Sequence, residues 1–211
     1  MIYIFMLLGL SISVFTILLI IDYRRALATL HLVKLASKIN LPTDTSENLL
    51  SKVPEIKGFY KGHEIRIFMC PHKENIGKFK RTKMYTAIEI KVNNPTKYKL
   101  NVYEEGLISK IGKYFGMQDI VIGHEKFDKE YIVKTNNEYI TQQILSKNIC
   151  DELVYMADKK FGFGFQFNPE TIYYEEPLLI INETRSLLIE RTLNILIALY
   201  DEFNKYKQQT F

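Results

Sequence analysis

The chain has 211 residues, 25% charged and 47% hydrophobic, with a formal net charge of +4 at pH 7. That mild excess is too small to predict a nucleic-acid surface, where cations cluster strongly on one face. The two cysteines, Cys70 and Cys150, stand far apart in no CxxC or metal-ligand spacing, which predicts unpaired thiols in a reducing compartment.

In chain order the first feature is Ile2 to Ile21, a run without a charged residue that ends abruptly at Asp22-Tyr23-Arg24-Arg25. About twenty residues at roughly 1.5 Å each reach about 30 Å, the thickness of a bilayer's hydrocarbon core. Its hydroxyls can bond back to the preceding turn, so lipid tolerates them. Ala26-Leu27-Ala28 has the form of a signal-peptidase site. Against cleavage stand the lack of Lys or Arg before the run, its length, and the two arginines just before the cut. A retained transmembrane anchor over residues 1–22 is therefore expected. Arg24, Arg25, Lys34 and Lys38 follow it closely, which places the N-terminus outside and the rest of the chain in the cytoplasm of a cell membrane. The remaining residues suffice for one domain with a real core.

Residues 23–57 are expected to hold a juxtamembrane helix and a connector. Tyr23 to Ile39 contains good helix formers, with Leu27, Leu30, Lys34 and Lys38 on neighbouring turns, and Asn40-Leu41-Pro42 ends it. The main domain is expected over 58–208. Gly58 to Gly62 opens a hairpin, and His63–Met69, Tyr85–Val92 and Lys97–Tyr103 alternate as strands around a basic loop at 71–83. A strand at 130–134 follows a glycine-containing region. Ile140, Ile144, Leu145, Ile149, Leu153 and Met156 predict one amphipathic helix over 138–158. Phe161 to Phe167 alternate with small and polar residues as a strand, and a second covers 172–181, interrupted or bent near Pro177. Asn182 caps a last helix over about 183–206 with a core stripe of Ile189, Leu193, Leu196, Tyr200 and Phe203. Leu188, Ile195 and Leu199 give that helix a second apolar side, fit for a partner or a twin subunit. The order strands, helix, strands, helix is not regular β-α alternation. It predicts an α+β domain, an antiparallel sheet covered by one or two helices behind the anchor.

The segment Gly123-His124-Glu125-Lys126-Phe127-Asp128-Lys129-Glu130-Tyr131-Ile132-Val133, with Gly58-x-Tyr60-x-Gly62 upstream and the leucine-rich last helix, resembles an uncharacterised group of bacterial membrane-anchored proteins. Its members show G-D-x-x-F-D-x-x-F-x-V after a strand-rich half. Here His124 stands for the usual Asp and Tyr131 for the Phe. The resemblance covers roughly residues 30–206 and implies an architecture, not a reaction. Read physically, Gly123, His124, Phe127 and Asp128 form a candidate functional turn. Gly123 supplies unusual backbone angles, Asp128 accepts backbone N–H bonds and Phe127 plugs the core. The rival is an acid–base pair of His124 with Asp128.

Lys73, Lys78, Lys80, Arg81 and Lys83 within the basic loop are candidate contacts to anionic lipid headgroups, and otherwise keep a hairpin soluble. Cys70-Pro71-His72 places two metal-ligand types close together, but Pro71 holds them extended and no second close pair follows, so no metal and no cofactor is expected. Gly162-Phe163-Gly164 lacks the third glycine of a nucleotide-binding loop. These features predict a single-pass, non-enzymatic binding or scaffolding protein at the inner membrane face, a subunit of a membrane assembly. Its expected partners are the bilayer through residues 2–21 and another protein or a second copy, with no nucleic acid. The alternatives are a lipid-binding surface domain and a membrane-tethered hydrolase using His124, Asp128 or Cys70.

Overall fold

A computed structural model describes residues 2–44, 55–76, 79–104, 117–159, 164–177 and 179–210. Its elements are α1 (Ile2–Lys38), β1 (Thr43–Asp44), β2 (Glu55–Tyr60), β3 (His63–Ile76), β4 (Phe79–Lys91), β5 (Leu100–Glu104), β6 (Gln118–Ile120), α2 (Glu125–Glu130), β7 (Tyr131–Thr135), α3 (Glu138–Ile144), α4 (Lys147–Asp158), β8 (Gly164–Phe167), β9 (Thr171–Glu176) and α5 (Glu183–Thr210). The nine described strands form one sheet in the order β1-β2-β3-β4-β9-β8-β5-β7-β6. Every pairing is antiparallel. The expected α+β class with an antiparallel sheet is what the chain adopts.

Strand alternation sorts the two faces of this sheet. Ile56, Ile67, Ile88, Tyr174, Phe165, Val102, Val133 and Ile120 stand opposite one another from β2 across to β6 and form a single apolar row. One residue along, Lys57, Arg66, Glu89, Tyr173, Gln166, Asn101, Lys134 and Asp119 make the matching row on the opposite face. A slip of one residue would exchange the two rows, so burial pins the register. The turn between β2 and β3 fits this ladder: Lys61 and Gly62 have φ of 51° and 83°, the paired positive angles of a two-residue hairpin loop.

The apolar face is covered by α5, capped as expected by Asn182, whose Oδ1 accepts from Arg185 N at 2.9 Å. Ile189, Leu193, Leu196, Tyr200 and Phe203 are all buried. Ile195 and Leu199 are buried too, and α5 packs against α1, α3 and α4 as well as β4. Of the second apolar side expected to meet a partner, Ile195 and Leu199 are thus used within the chain, while Leu188 is only partly buried. Rather than one or two helices, all five described helices add buried side chains to the same core.

Helix α1 runs without a break from Ile2 to Lys38 and changes environment on the way. Met6, Leu10, Ile12 and Val14 through to Ile21 present large apolar side chains that are 42–67% exposed. Ser13 and Thr16 donate their hydroxyls to Gly9 O and Ile12 O at 2.8 Å. From Ala28 onward the helix is part of the core: Ala28, Leu32, Leu35, Ala36 and Ile39 are buried. They fall on the stripe beside Leu27, Leu30, Lys34 and Lys38, of which Leu30 is half exposed. Ile56 of β2 is also fully buried, so the core draws on residues before 58. From Gly9 the described apolar side chains reach only to Ile21 before Asp22, Arg24 and Arg25, and among the described residues no helix is long and apolar enough to cross a membrane.

Three further elements differ from expectation. At its described residues, 71–76 and 79–83, the basic stretch is not a loop but the far part of the β3–β4 hairpin. The helix expected over 138–158 is two, α3 and α4, broken at Leu145-Ser146, although its apolar stripe continues through the break and stays buried. β9 stops at Glu176 and does not reach 181, the interruption falling at Pro177 as one of the two expected forms has it. Residues 45–54 and 160–163, which include parts of the expected connector and aromatic strand, lie outside the described residues.

On the core face, Glu176 is 2% exposed. Its Oε2 accepts from Tyr174 Oη at 3.2 Å, with the Arg185 guanidinium 3.7 Å away, while Oε1 has no hydrogen-bond partner among the described residues. Burial pushes this carboxyl from 4.5 up to about 7, against the pull of Arg185 and the Tyr174 hydroxyl. Between those values the unfolded chain has lost the proton and the folded chain keeps it, so stability falls as pH rises through the window.

Two outcomes follow for the detergent-solubilised chain. Leu32→Ala is expected to cost about 2–5 kcal/mol in urea unfolding, and Leu10→Ala no more than about 0.5 kcal/mol; equal effects would refute the division of α1. Relative to Glu176→Gln, the wild type is expected to lose on the order of 3 kcal/mol between pH 4.5 and 7.5. Parallel pH profiles of the two proteins would refute the buried-carboxyl assignment.

Candidate functional site

Beyond the sheet, β3 and β4 continue as a two-stranded arm. β2 pairs with β3 only as far as Phe68, and β9 with β4 only from Thr86. The rungs from Cys70↔Tyr85 to Ile76↔Phe79 continue past these partners. Six such steps extend about 20 Å at roughly 3.3 Å each. Four of the five candidate cations, Lys73, Lys80, Arg81 and Lys83, stand on this arm. Lys73 and Arg81 are exposed, and Lys83 lies over the Tyr85 ring at 5.9 Å. Lys78 lies outside the described residues, and Lys80 stands opposite Asn75 in the ladder. Between Met69 and Tyr85 the sequence holds five cations and one carboxylate, Glu74, a net charge equal to that of the whole chain.

The candidate turn is assembled by main-chain hydrogen bonds. Gly123 has φ 89°, an angle that favours glycine. Asp128 Oδ1 accepts from Ile122 N at 2.9 Å and Oδ2 from Gly123 N at 2.8 Å, which occupies both carboxylate oxygens. His124 is the N-cap of α2: its Nδ1 accepts from Phe127 N at 3.2 Å, and its Nε2 meets Asp151 Oδ1 of α4 at 2.9 Å. With Nδ1 accepting, the proton sits on Nε2 and is donated to Asp151. Phe127 is fully buried and stacks on Tyr131 at 5.1 Å. An open cleft of about 630 Å³ lies beside His124, between this turn and the α3–α4 junction.

On the polar face of the sheet, at the root of the arm, the structure brings Cys70 and His72 of β3 to Glu175 of β9. His72 Nε2 and Glu175 Oε2 are 3.2 Å apart, and Tyr173 Oη donates to Glu175 Oε2 at 2.8 Å. Burial, with the charge of Glu175, pushes the Cys70 thiol up. The His72 ring lies 4.4 Å from that of Tyr85. The sequence showed Cys70 and His72 side by side, but nothing in it signalled Glu175, which depends on the strand order. Asp151 as the partner of His124 is hidden for the same reason.

A groove of about 680 Å³ runs between α4 and α5, lined by Leu187, Leu188, Ile195 and Ala198. Arg191 spans it, bonded to Glu152 Oε2 at 2.6 Å and stacked 3.7 Å over Tyr155. Among these sites, the three side chains a hydrolase would need are not brought together. Cys70 on β3 and the turn before β7 are five strand positions apart, about 24 Å at roughly 4.8 Å each. Asp128 is spent on backbone amides.

No family model matches the chain, and no curated protein does. Among solved structures it is similar to the crystal structure of the mycobacterial trehalose monomycolate transport factor A, TtfA. The identity is 14% and the TM-score 0.54, over 85% of this chain and 95% of that one. At that identity the likeness is one of fold.

The turn geometry sets its own test. Asp128→Ala leaves two amides unpaired and is expected to cost about 1–3 kcal/mol in thermal unfolding, and His124→Ala about 1 kcal/mol for the lost cap. Unchanged stability in both would remove the structural role.

Proposed function

We propose that this chain is a single-pass membrane protein that holds a non-enzymatic binding or scaffolding domain at the inner face of a cell membrane, as a subunit of a membrane assembly. The observation that carries the reading is the unbroken α1, apolar and exposed at one end and part of the core at the other. Large apolar side chains exposed around a helix favour a nonaqueous surrounding. Counted from Ile2, the uncharged run of the sequence reaches about twenty residues, the length a bilayer requires. The step from Ile21 to Ala28, the first core residue, is about 10 Å of helix, so the domain would stand close against the membrane without a flexible tether. Arg24 and Arg25 in that step favour the cytoplasmic side. The segment from Gly123 to Val133, patterned like that of bacterial membrane-anchored proteins, agrees with this reading. So does the fold shared with a protein described as a transport factor.

A second reading is favoured by the arm. The five candidate cations would lie against anionic headgroups, each contributing on the order of 1 kcal/mol near the surface.

The full chain is expected to stay with membranes in alkaline carbonate, and a chain lacking residues 2–21 to be released; extraction of both would end the anchor reading. A mild-detergent pull-down of the full chain is expected to recover a stoichiometric partner, and recovery of the chain alone would end the assembly reading. For the arm, Lys78→Glu, Lys80→Glu and Arg81→Glu together are expected to weaken binding of the released chain to anionic liposomes by about two orders of magnitude. Undiminished binding would refute it.

A further inference from the structure

Cys70 and His72 are separated by Pro71 in a strand. Extended backbone points residues i and i+2 to the same face, so the proline that keeps this segment extended also aligns the thiol and the imidazole. Pro71 lies beyond the stretch of β3 that pairs with β2, on an edge where its missing N–H breaks no described rung. The third group comes from two strands away. Glu175 stands opposite Ala87 of β4, and Ala87 in turn opposite Phe68 of β3. The backbone of Glu175 is thus two strands from β3, and its carboxylate comes to Cys70 and His72 across β4.

We propose that Cys70, His72 and Glu175 form a binding site for a zinc-class divalent cation. Cys70 Sγ, a ring nitrogen of His72 and a carboxylate oxygen of Glu175 all lie within 4.8 Å of one another. Bonds of about 2.0–2.3 Å in a tetrahedral site put neighbouring ligand atoms roughly 3.3–3.7 Å apart. The 3.2 Å between His72 Nε2 and Glu175 Oε2 is close to that edge. A thiolate, an imidazole and a carboxylate together are the donor set of zinc, and are too soft for magnesium or calcium. The supporting contacts are those a metal site uses. Tyr173 Oη holds the Glu175 carboxylate at 2.8 Å, and Tyr85 packs on the His72 ring. The His72 and Glu175 side chains are 42% and 33% exposed, so an ion can enter and water can take the fourth position. On binding, the Cys70 thiol releases its proton to solvent and the ion takes the place of the His72–Glu175 contact. This site is separate from the anchor and from the binding role proposed above.

The test uses the full chain in detergent, purified without a histidine tag, stripped with chelator, and titrated with Zn²⁺ and with Co²⁺. One Zn²⁺ per chain is expected. The Co²⁺ form is expected to show a thiolate-to-cobalt charge-transfer band and the strong visible absorption of a four-coordinate ion. Cys70→Ser should abolish the band, while His72→Gln and Glu175→Gln should each weaken binding about tenfold or more. Cys150→Ser should leave band and stoichiometry unchanged. Absence of the band in the wild type overturns the proposal without recourse to any variant. So does stoichiometric binding that survives Cys70→Ser, which would place the ion elsewhere.

Discussion

The molecule depends on the seating of α5 on the apolar face of the sheet. Phe203 stacks on Tyr98 at 5.7 Å and meets Phe167 edge-on at 4.9 Å, and Tyr98 meets Phe167 at 5.4 Å. These rings bury large apolar areas, and their tilted and offset geometries add to what burial alone supplies. The same cluster carries its polar atoms inward to partners. Tyr98 Oη bonds Thr141 Oγ1 at 2.7 Å, Thr141 bonds Thr135 at 2.8 Å, and Tyr200 Oη accepts from Asn93 N. Phe203 and Tyr200 thus tie α5 to the segment ahead of β5, and the Tyr98–Thr141–Thr135 bonds tie that segment to α3 and β7.

Because α5 is enclosed on several sides, α1 has a place to dock, and the docking decides what the rest of α1 does. The buried stripe from Ala28 to Ile39 fixes the helix axis against β2 and α5, with Lys38 paired to Glu190 at 2.5 Å. Helical hydrogen bonding continues without a break into the exposed apolar end. An exposed ion pair such as Lys38–Glu190 is worth little alone, about 0–1 kcal/mol. The apolar burial is what holds this end of α1 in the core.

The opposite face of the sheet follows a different economy of contacts. Arg66–Glu55, Lys91–Glu64 and Lys134–Asp119 pair across neighbouring strands at the surface. Near the arm the pattern changes to a thiol, an imidazole, a carboxylate and two phenols. This is the place where residues far apart in sequence meet as side chains with chemistry. Cys70 and Glu175 meet there only because β9 inserts beside β4.

Much of the fold was legible in the residues. The stripe of α5, its Asn182 cap, the stop of α1 just before Asn40-Leu41-Pro42 and the geometry around Gly123 and Asp128 all rest on interactions within a few residues, which period and capping chemistry reveal. The arm at 71–83 was not, because lysines and a proline obscure an alternation that only cross-strand pairing supports. The break at Leu145 was hidden because the apolar stripe runs through it unaltered. By itself the sequence determined the α+β class, the local elements and the uncharged run at the N-terminus, since these depend on periodicity and short-range bonds. The tertiary structure alone decided that α5 buries Ile195 and Leu199 within the chain, that His124 turns to Asp151 and not to Asp128, and that Glu175 faces Cys70 and His72. Each of these depends on which strands and helices become neighbours, and that is set by the packing of the whole core.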